Sequence, residues 1–305
     1  MALPKRTLGR TGLEVTTLGY GAMELRGGGA GPDLTDGQAG ELLNAVLDCG
    51  INFVDTSIDY GKSEELIGRH ISGRRAEYFL ASKCGCPLDW EPSPGQPRPG
   101  PHTFTREHIL RGIERTLQRT KTDYLDLLQV HISPSREELE REDVPGTLAM
   151  LKREGKVRWI GMSGILPHVT DHIAMGVFDS FQIPYSALQR DHEKAIAAAS
   201  KAGAGIIIRG GAARGVAADW ARDNYRQTGA AARDLWGTAK LDELLDGISR
   251  VEFTLRFTLS NPDLDTTIVG TKSVAHLKGN VAVAEKGPLP ADVYQEAKRR
   301  LSTAT

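Results

Sequence analysis

Short apolar runs alternate along the chain with stretches in which apolar residues recur every three or four positions. The first pattern is typical of buried strands, and the second is typical of amphipathic helices. The helical spacing is clear between Leu42 and Leu47. We predict a first strand that ends near Gly21 and seven more strands, over residues 52–55, 78–83, 124–130, 157–162, 180–183, 205–208 and 266–269.

Polar residues at the expected capping positions mark where several helices begin. Thr35 and Gln38 fit a capping box, Thr105 fits a helix N-cap, and Pro145 fits the first turn of another helix. The predicted helices cover residues 35–50, 63–71, 145–155, 169–174, 193–202, 241–255 and 273–285, with one more from 105 and a last one from 290.

The remaining segments are predicted to be turns and loops. Residues 8–20 read as a small hairpin around the turn at 9–12, because two short β-like pieces flank it. Residues 27–31 are glycine-rich, but Pro32 and Asp33 follow where a phosphate-binding loop would need a helix. The stretch 87–101 contains six prolines and is predicted to be a loop, as is the stretch 210–237.

The order of these elements predicts the fold class. Strands alternate with helices eight times, and no strand is followed by the G-x-G-x-x-G turn of a dinucleotide-binding fold. We therefore expect a closed (β/α)8 TIM barrel with a short N-terminal β-hairpin and an extra C-terminal helix. Residues 1–305 are expected to form a single domain.

Composition agrees with an ordinary globular protein. Hydrophobic residues make up 40% of the 305 residues, charged residues 25%, and the formal net charge is -1. Such a balance gives no support to a nucleic-acid or membrane-surface partner. No apolar stretch approaches the roughly 20 residues of a membrane span, and residues 1–10 lack the apolar core of a secretory signal, so we expect a cytoplasmic protein.

Neither the cysteines nor the histidines suggest a metal site. Cys84 and Cys86 share one short stretch, but the sequence places no further thiol or imidazole at a recognisable metal-ligand spacing from them. His168 and His172 could share one helical face, yet Val169 stands where a zincin has Glu. We expect no metal, and we interpret Cys84 and Cys86 as small reduced residues beside the site.

A set of chemically useful residues falls at the ends of consecutive predicted strands. Asp55, Lys83 and His131 end strands two, three and four, and Tyr60 lies on the loop after strand two. Each residue alone has a structural reading: a loop cap, a solvated lysine, a core histidine or a packed phenol. Functional groups of a barrel gather where its strands end, so together the four predict an active site on one rim.

These residues lie in motifs that resemble those of the aldo-keto reductase family. The motifs are V-D-T-S-I-D-Y-G around Asp55 and Tyr60, A-S-K at Lys83 and L-L-Q-V-H-I-S-P around His131. The resemblance extends from Leu8 to Asn280. It implies an oxidoreductase that reduces aldehydes or ketones to alcohols with a hydride from a nicotinamide cofactor.

The resemblance also implies a role for each catalytic residue. Tyr60 would give a proton to the carbonyl oxygen, although a phenol of pKa about 10 is a poor donor at neutral pH unless its phenolate is stabilised. Lys83 would supply that stabilising charge, Asp55 would pair with Lys83, and His131 would hydrogen-bond the carbonyl oxygen.

Nicotinamide contacts are carried over where the residues match. Ser163 and Gln182 match the family residues that bind the carboxamide, and Tyr185 matches the aromatic residue that stacks on the ring. Core packing is the alternative for Tyr185. Gly164 stands where the family usually has Asn, so one carboxamide contact is lost or replaced.

The rest of the cofactor is expected along two glycine-containing segments. Arg209, Gly210 and Gly211 match the region that follows the pyrophosphate. The segment similar to the family's adenosine-phosphate motif lies after strand eight, and its candidate contacts are Gly270, Thr271, Lys272, His276 and Asn280. Lys272 and helix amides suit a 2′-phosphate, so NADPH is expected. His276 replaces the Arg of many members, which keeps NADH as an alternative.

Substrate and partners are less constrained. Met23 and Trp90 are candidate pocket walls, and an open site for several small or medium aldehydes and ketones is expected. A cofactor-binding, redox-sensing regulatory subunit with slow turnover is an alternative. A Schiff-base lyase using Lys83 is a third reading, disfavoured because Asp55 would keep the amine protonated. The sequence does not predict the physiological substrate, the reaction direction or the oligomeric state.

Overall fold

The computed structural model describes residues 2–27, 33–89, 100–213 and 228–304, with the side chains of 228–232 left aside. Eight parallel strands form a closed barrel in the order β10-β3-β4-β5-β6-β7-β8-β9. The barrel strands are β3 (Leu18–Gly21), β4 (Phe53–Asp55), β5 (Phe79–Cys84), β6 (Leu125–His131), β7 (Val157–Ser163), β8 (Ser180–Pro184), β9 (Gly205–Arg209) and β10 (Thr266–Val269). The predicted (β/α)8 barrel is confirmed.

A two-stranded antiparallel sheet precedes the barrel and covers its amino-terminal end. It pairs β1 (Lys5–Thr7) with β2 (Glu14–Thr16), so the hairpin begins three residues earlier than predicted. Between the strands, Leu8 is fully buried and packs with residues that point into the barrel. A Cβ on Gly205 would lie 2.6 Å from the Leu8 side chain, so the contact requires glycine there. This hairpin does not cover the opposite end of the barrel, where the strands have their carboxyl ends.

Helices surround the barrel strands. They are α1 (Asp36–Asp48), α2 (Ser63–His70), α3 (Arg106–Thr120), α4 (Arg136–Arg141), α5 (Val144–Arg153), α6 (Val169–Met175), α7 (Glu193–Lys201), α8 (Thr228–Thr238), α9 (Arg250–Leu259), α10 (Val274–Glu285) and α11 (Ala291–Ala304). The predicted capping box of Thr35 and Gln38 is present, and Thr105 accepts from the His108 backbone N–H as an N-cap. Within the described segments, no helix has both the length and the apolar character needed to cross a membrane.

The predicted helix over 241–255 is wrong. A 3-10 turn covers Leu241–Leu244, Gly247 adopts a φ of 81°, and α9 begins only after Ser249, whose side chain caps the new helix. The apolar residues that suggested one helix belong partly to this turn, whose Leu241 packs onto the core. Helix α8 falls inside the predicted loop 210–237, where the buried ring of Trp236 anchors it.

A carboxylic acid is buried between α2 and the barrel. Glu64 has 0% of its surface exposed, and its Oε1 accepts hydrogen bonds from Ser82 Oγ at 2.8 Å and Thr116 Oγ1 at 2.9 Å. Its Oε2 has no hydrogen-bond partner, and the Arg119 guanidinium lies 3.9 Å away. Burial raises the pKa of Glu64 from 4.5 to about 7, because the charged form is poorly solvated there.

This raised pKa predicts a pH-dependent stability. The folded chain holds the Glu64 proton more tightly than the unfolded chain, so this residue's stabilising effect is complete below pH 4.5 and is lost as pH rises through about 7. The unfolding free energy of the wild type should fall by on the order of 3 kcal/mol over that window, and Glu64→Gln should abolish this fall. Urea unfolding of both proteins between pH 5 and pH 8 measures it.

The exposed neighbour Glu65 gives the matched control, since its side chain is 49% exposed. Glu65→Gln should keep the wild-type pH dependence. An unchanged slope in Glu64→Gln would contradict the assignment to Glu64.

Candidate active site

The carboxyl ends of β4, β5 and β6 bring Asp55, Lys83 and His131 to one end of the barrel. Tyr60 sits on the turn between β4 and α2, where its N–H donates to the Ser57 carbonyl at 3.0 Å. Its own carbonyl accepts from the Ser63 N–H at 2.9 Å, at the start of α2. The strand ends and this hydrogen-bonded turn hold the four side chains near one another.

A buried ion pair forms the base of the site. Lys83 Nζ lies 2.7 Å from Asp55 Oδ2, and the two side chains are 0% and 2% exposed. Lys83 Nζ also donates to the Thr56 carbonyl at 2.7 Å. Asp55 Oδ1 accepts from Gln129 Nε2 at 2.9 Å and from Gln182 Nε2 at 2.8 Å. The carboxylate therefore receives three donors, which compensates its removal from water.

Gln129 is a part of the site that sequence reasoning missed. It lies on β6 two residues before His131, and its Oε1 is buried without a hydrogen-bond partner. Its register beside Lys83 on β5 brings it to Asp55. Alternation along β6 places Gln129 on the same face as His131, and that was the available signal.

The ion pair keeps Lys83 protonated. Burial acts to lower the pKa of Lys83, but Asp55, Tyr60 and the hydrogen bond to Asp55 together raise it above its ordinary value. An ammonium has no lone pair to attack a carbonyl carbon, so this arrangement disfavours the Schiff-base reading.

Tyr60 lies over the ammonium. Lys83 Nζ is 4.9 Å from the centroid of the Tyr60 ring. The centroids of the Tyr60 and His131 rings are 6.4 Å apart. Burial, with smaller contributions from Asp55 and Asp59, raises the pKa of Tyr60 to about 12 despite the lowering effect of Lys83. Lys83 thus acts in the expected direction, but the phenol remains a weaker acid than in water.

His131 is a neutral imidazole in this environment. Burial is the main cause that lowers its pKa well below the ordinary value, and the positive charges of Lys83 and Arg209 and the nearby His102 add to it. Its Nδ1 lies 3.1 Å from Cys86 Sγ and 3.2 Å from His102 Nε2. Nε2 is therefore the nitrogen left for a substrate oxygen.

The surroundings of Cys86 differ from the sequence interpretation. The sequence predicted no thiol or imidazole ligand near Cys86. In the structure, its Sγ and the ligand atoms of Asp59, His102 and His131 all lie within 4.8 Å of one another. Residues 45 positions apart meet across strand ends, so their contact leaves no short spacing to recognise. Cys84, by contrast, packs in the hydrophobic core outside the barrel.

The two predicted carboxamide contacts are bonded to each other. Ser163 Oγ donates to Gln182 Oε1 at 3.0 Å, while the Gln182 amide donates to Asp55. Both residues lie on β7 and β8 beside the ion pair. A Cβ on Gly164 would lie 2.8 Å from Ser133 Oγ, so an Asn at 164 would require Ser133 to move.

Tyr185 occupies the core-packing position. Its side chain is 0% exposed, its hydroxyl donates to Glu193 Oε1 at 3.0 Å, and its ring stacks on Phe257 with centroids 6.1 Å apart. Its hydroxyl is also 3.4 Å from that of Tyr294. The ring is thus packed in the core, and the stacking role implied by the resemblance stays a prediction.

The end of β9 carries the next group of predicted contacts. Arg209 is partly exposed and lies close enough to His131 and His192 to lower the pKa of both, after burial. Gly210 follows with a φ of 74°. A Cβ on Gly211 would lie 2.2 Å from Thr267 Oγ1, so the chain can pass there only as glycine.

The segment after β10 leads into α10. A Cβ on Gly270 would lie 2.8 Å from the Gly21 carbonyl oxygen, and the Thr271 carbonyl accepts from the Tyr20 hydroxyl at 3.0 Å. Ser273 caps α10, the helix whose first turn carries His276. Lys272 is partly exposed, 3.7 Å from the Asp33 carboxylate, and the partly exposed Asn280 follows on α10. The site has the donors an anion requires.

The candidate substrate walls are only partly described. Met23 is partly exposed on the 3-10 turn Ala22–Arg26, directly after β3 at the same end of the barrel. Trp90 lies outside the described residues, as do most of the proline-rich stretch 87–101 and residues 214–227.

Comparisons with known proteins agree with this geometry. The chain is 26% identical to the uncharacterized oxidoreductase YqkF of Bacillus subtilis, covering 92% of this chain and 90% of that protein. It is 28% identical to L-galactose dehydrogenase of Arabidopsis thaliana, covering 91% and 86%. The holo structure of aldo-keto reductase AKR11C1 from Bacillus halodurans superposes with a TM-score of 0.81 at 26% identity, covering 98% and 96%. The Aldo/keto reductase family model matches residues 17–300, and the chain belongs to that family of oxidoreductases.

Proposed function

We propose that this protein is an NADPH-dependent oxidoreductase that reduces aldehydes or ketones to alcohols, with Tyr60 as general acid. The observation that carries the proposal is the buried Asp55–Lys83 pair, with Lys83 Nζ 4.9 Å from the ring centroid of Tyr60. A cation held beneath a phenol lowers the cost of the phenolate that proton transfer leaves behind. Family membership supports the oxidoreductase class.

The residues at the other strand ends fit a dinucleotide cofactor. Gly211 packs closely against the Thr267 side chain and Gly270 against the Gly21 carbonyl, and the capped N-terminus of α10 presents amides beside Lys272. Lys272 is suited to a 2′-phosphate, which supports NADPH, and NADH stays the alternative. When bound, the cofactor supplies the hydride.

Proton supply is the task of this chain's own side chains. With a pKa of about 12, Tyr60 keeps its proton across the physiological range and can give it to the oxygen as negative charge develops there. Neutral His131 would donate from Nε2 to the same oxygen and orient it. Lys83 would stabilise the phenolate, and Asp55 holds the ammonium charged.

The nature of the substrate is proposed from the rim alone. Met23 lines that rim, and small or medium aldehydes and ketones are the proposed substrate class. The cytoplasmic location and the single domain over 1–305 stay predictions.

Tyr60→Phe tests the proton donor. The variant should bind NADPH like the wild type, because the ring is kept, but reduce carbonyls at least about 100-fold more slowly, because the proton is gone. Absorbance of NADPH and NADH with activated aldehydes, dicarbonyls and simple sugars measures turnover, and cofactor fluorescence measures binding.

Tyr124→Phe is the matched control, since Tyr124 precedes β6 at the far end of the barrel. Unchanged turnover in Tyr60→Phe would contradict the role of Tyr60. A wild-type protein that binds NADPH and reduces nothing in the panel would favour the regulatory-subunit alternative.

Lys83→Met tests the ion pair. Removing the cation leaves the Asp55 charge buried without its partner, so we expect a loss of about 3–5 kcal/mol in unfolding free energy and little reduction. Adding Asp55→Asn removes that charge and should restore about 1–3 kcal/mol without restoring turnover. Urea unfolding with parallel turnover assays measures both effects. Equal stability of the single and double variants would contradict the uncompensated-charge account.

A further inference from the structure

Four potential metal ligands converge behind the catalytic histidine. They come from two loops and one strand end, and each offers one donor atom: Asp59, Cys86, His102 and His131. These donor atoms all lie within 4.8 Å of one another. None of the proposed catalytic steps uses Cys86, His102 or Asp59.

The measured separations approach those of a tetrahedral site. His131 Nδ1 lies 3.1 Å from Cys86 Sγ and 3.2 Å from His102 Nε2. Asp59 Oδ2 lies 3.7 Å from His131 Nδ1 and 3.9 Å from His102 Nε2. With Zn–N bonds of about 2.05 Å and a Zn–S bond of about 2.3 Å, the edges of a tetrahedron measure about 3.3 to 3.6 Å. The two remaining separations, from Cys86 Sγ to His102 and to Asp59, are no more than 4.8 Å. The ligand atoms would have to shift to bring all six separations to the tetrahedral values.

Two neighbours compete for one nitrogen of His131 in this cluster, although Cys86 Sγ also contacts Ser57 Oγ at 3.3 Å. An imidazole nitrogen carries either one lone pair or one hydrogen, so His131 Nδ1 forms one well-directed hydrogen bond. Both Cys86 Sγ and His102 Nε2 approach it within hydrogen-bond distance. The two neighbours therefore compete for a single lone pair or a single hydrogen on Nδ1, whereas one cation would accept a lone pair from each ligand at once.

Surrounding residues hold the ligands in place. Ser57 Oγ donates to Asp59 Oδ1, which turns Oδ2 toward the imidazoles. His108 Nε2 lies 2.8 Å from the Cys86 carbonyl oxygen, and Phe104 stacks on the His102 ring at 6.3 Å. Such outer contacts orient ligands in known metal sites.

We propose that Asp59, Cys86, His102 and His131 bind one Zn²⁺ ion in a closed tetrahedral site. The mixed thiolate, imidazole and carboxylate set suits zinc. One thiolate and one carboxylate neutralise the two positive charges, which a nearly enclosed site requires, since His131 is 15% exposed and the other three ligands 6% or less.

Binding changes the protonation of the ligands. Burial raises the pKa of the Cys86 thiol well above its ordinary value, so the metal-free site holds a thiol. The incoming dication takes the place of that proton, which leaves to solvent. Occupation of His131 Nδ1 also fixes the remaining imidazole proton on Nε2, the nitrogen proposed to face the substrate.

The test measures binding on the full-length, reduced protein after metal removal. We expect one zinc per chain after gel filtration, and cobalt substitution should give the visible spectrum of a tetrahedral site with a thiolate-to-cobalt band. Cys86→Ser and His102→Ala should each weaken zinc binding at least about 10-fold, the smallest loss expected even for an outer contact. Asp59→Asn keeps the shape of the side chain and should also weaken zinc binding. This variant serves as the test if the larger substitutions impair folding.

Two cysteine variants provide the controls. Cys84→Ser changes a buried cysteine outside the cluster, and Cys49→Ser changes a partly exposed one, so both should keep the zinc affinity and the cobalt band. No retained zinc in the wild type, or equal affinity in Cys86→Ser, would overturn the proposal. These readouts do not involve turnover, so they fail or succeed independently of the reductase assignment.

Discussion

The buried pair of Asp55 and Lys83 is the interaction on which the site depends. Taking both charges out of water is costly, and the cost is offset only if each finds further partners. Those partners are Gln129, Gln182 and the Thr56 carbonyl, contributed by other strands or strand ends. Four barrel strands must therefore be in register before the ion pair is compensated, so the site depends on the barrel that holds those strands together.

The burial that surrounds this pair also decides which groups carry protons. It raises the pKa of Tyr60 to about 12, lowers that of His131 and raises that of Cys86. The charges of the Asp55–Lys83 pair and of Arg209 thus lie near three groups, Tyr60, His131 and Cys86, that are neutral at physiological pH. Donors in such a setting act strongly on charge that appears during a reaction, because little water competes with them.

The barrel could be predicted because its signal is local. Each strand is a short apolar run and each major helix repeats every few residues, so alternation alone revealed the topology. The failures have equally physical causes. Gly247 and the Ser249 cap divided a stretch whose apolar spacing resembled one helix. At Tyr185, the sequence did not reveal that the hydroxyl donates to Glu193 and that the ring stacks on Phe257.

Contacts between distant residues were beyond the reach of the sequence. Gln129 reaches Asp55 because of strand register, and His102 contacts His131 across a separation of 29 residues. Neither contact follows from composition or spacing. The four proposed catalytic positions could be recognised as a set, from their places at or after strand ends and from motifs that resemble those of a known family.

His131 lies between the Cys86 cluster and the pair formed by Lys83 and Tyr60. Asp59 and Tyr60 are consecutive, yet Asp59 faces Nδ1 of the imidazole while Tyr60 lies beside Lys83. One ring nitrogen thus belongs to the Cys86 cluster and the other is left for a substrate. A change at the first nitrogen alters the hydrogen on the second, because a neutral imidazole has a single N–H to share between them. The cluster is therefore positioned to control the protonation of the proposed catalytic histidine without contacting the substrate.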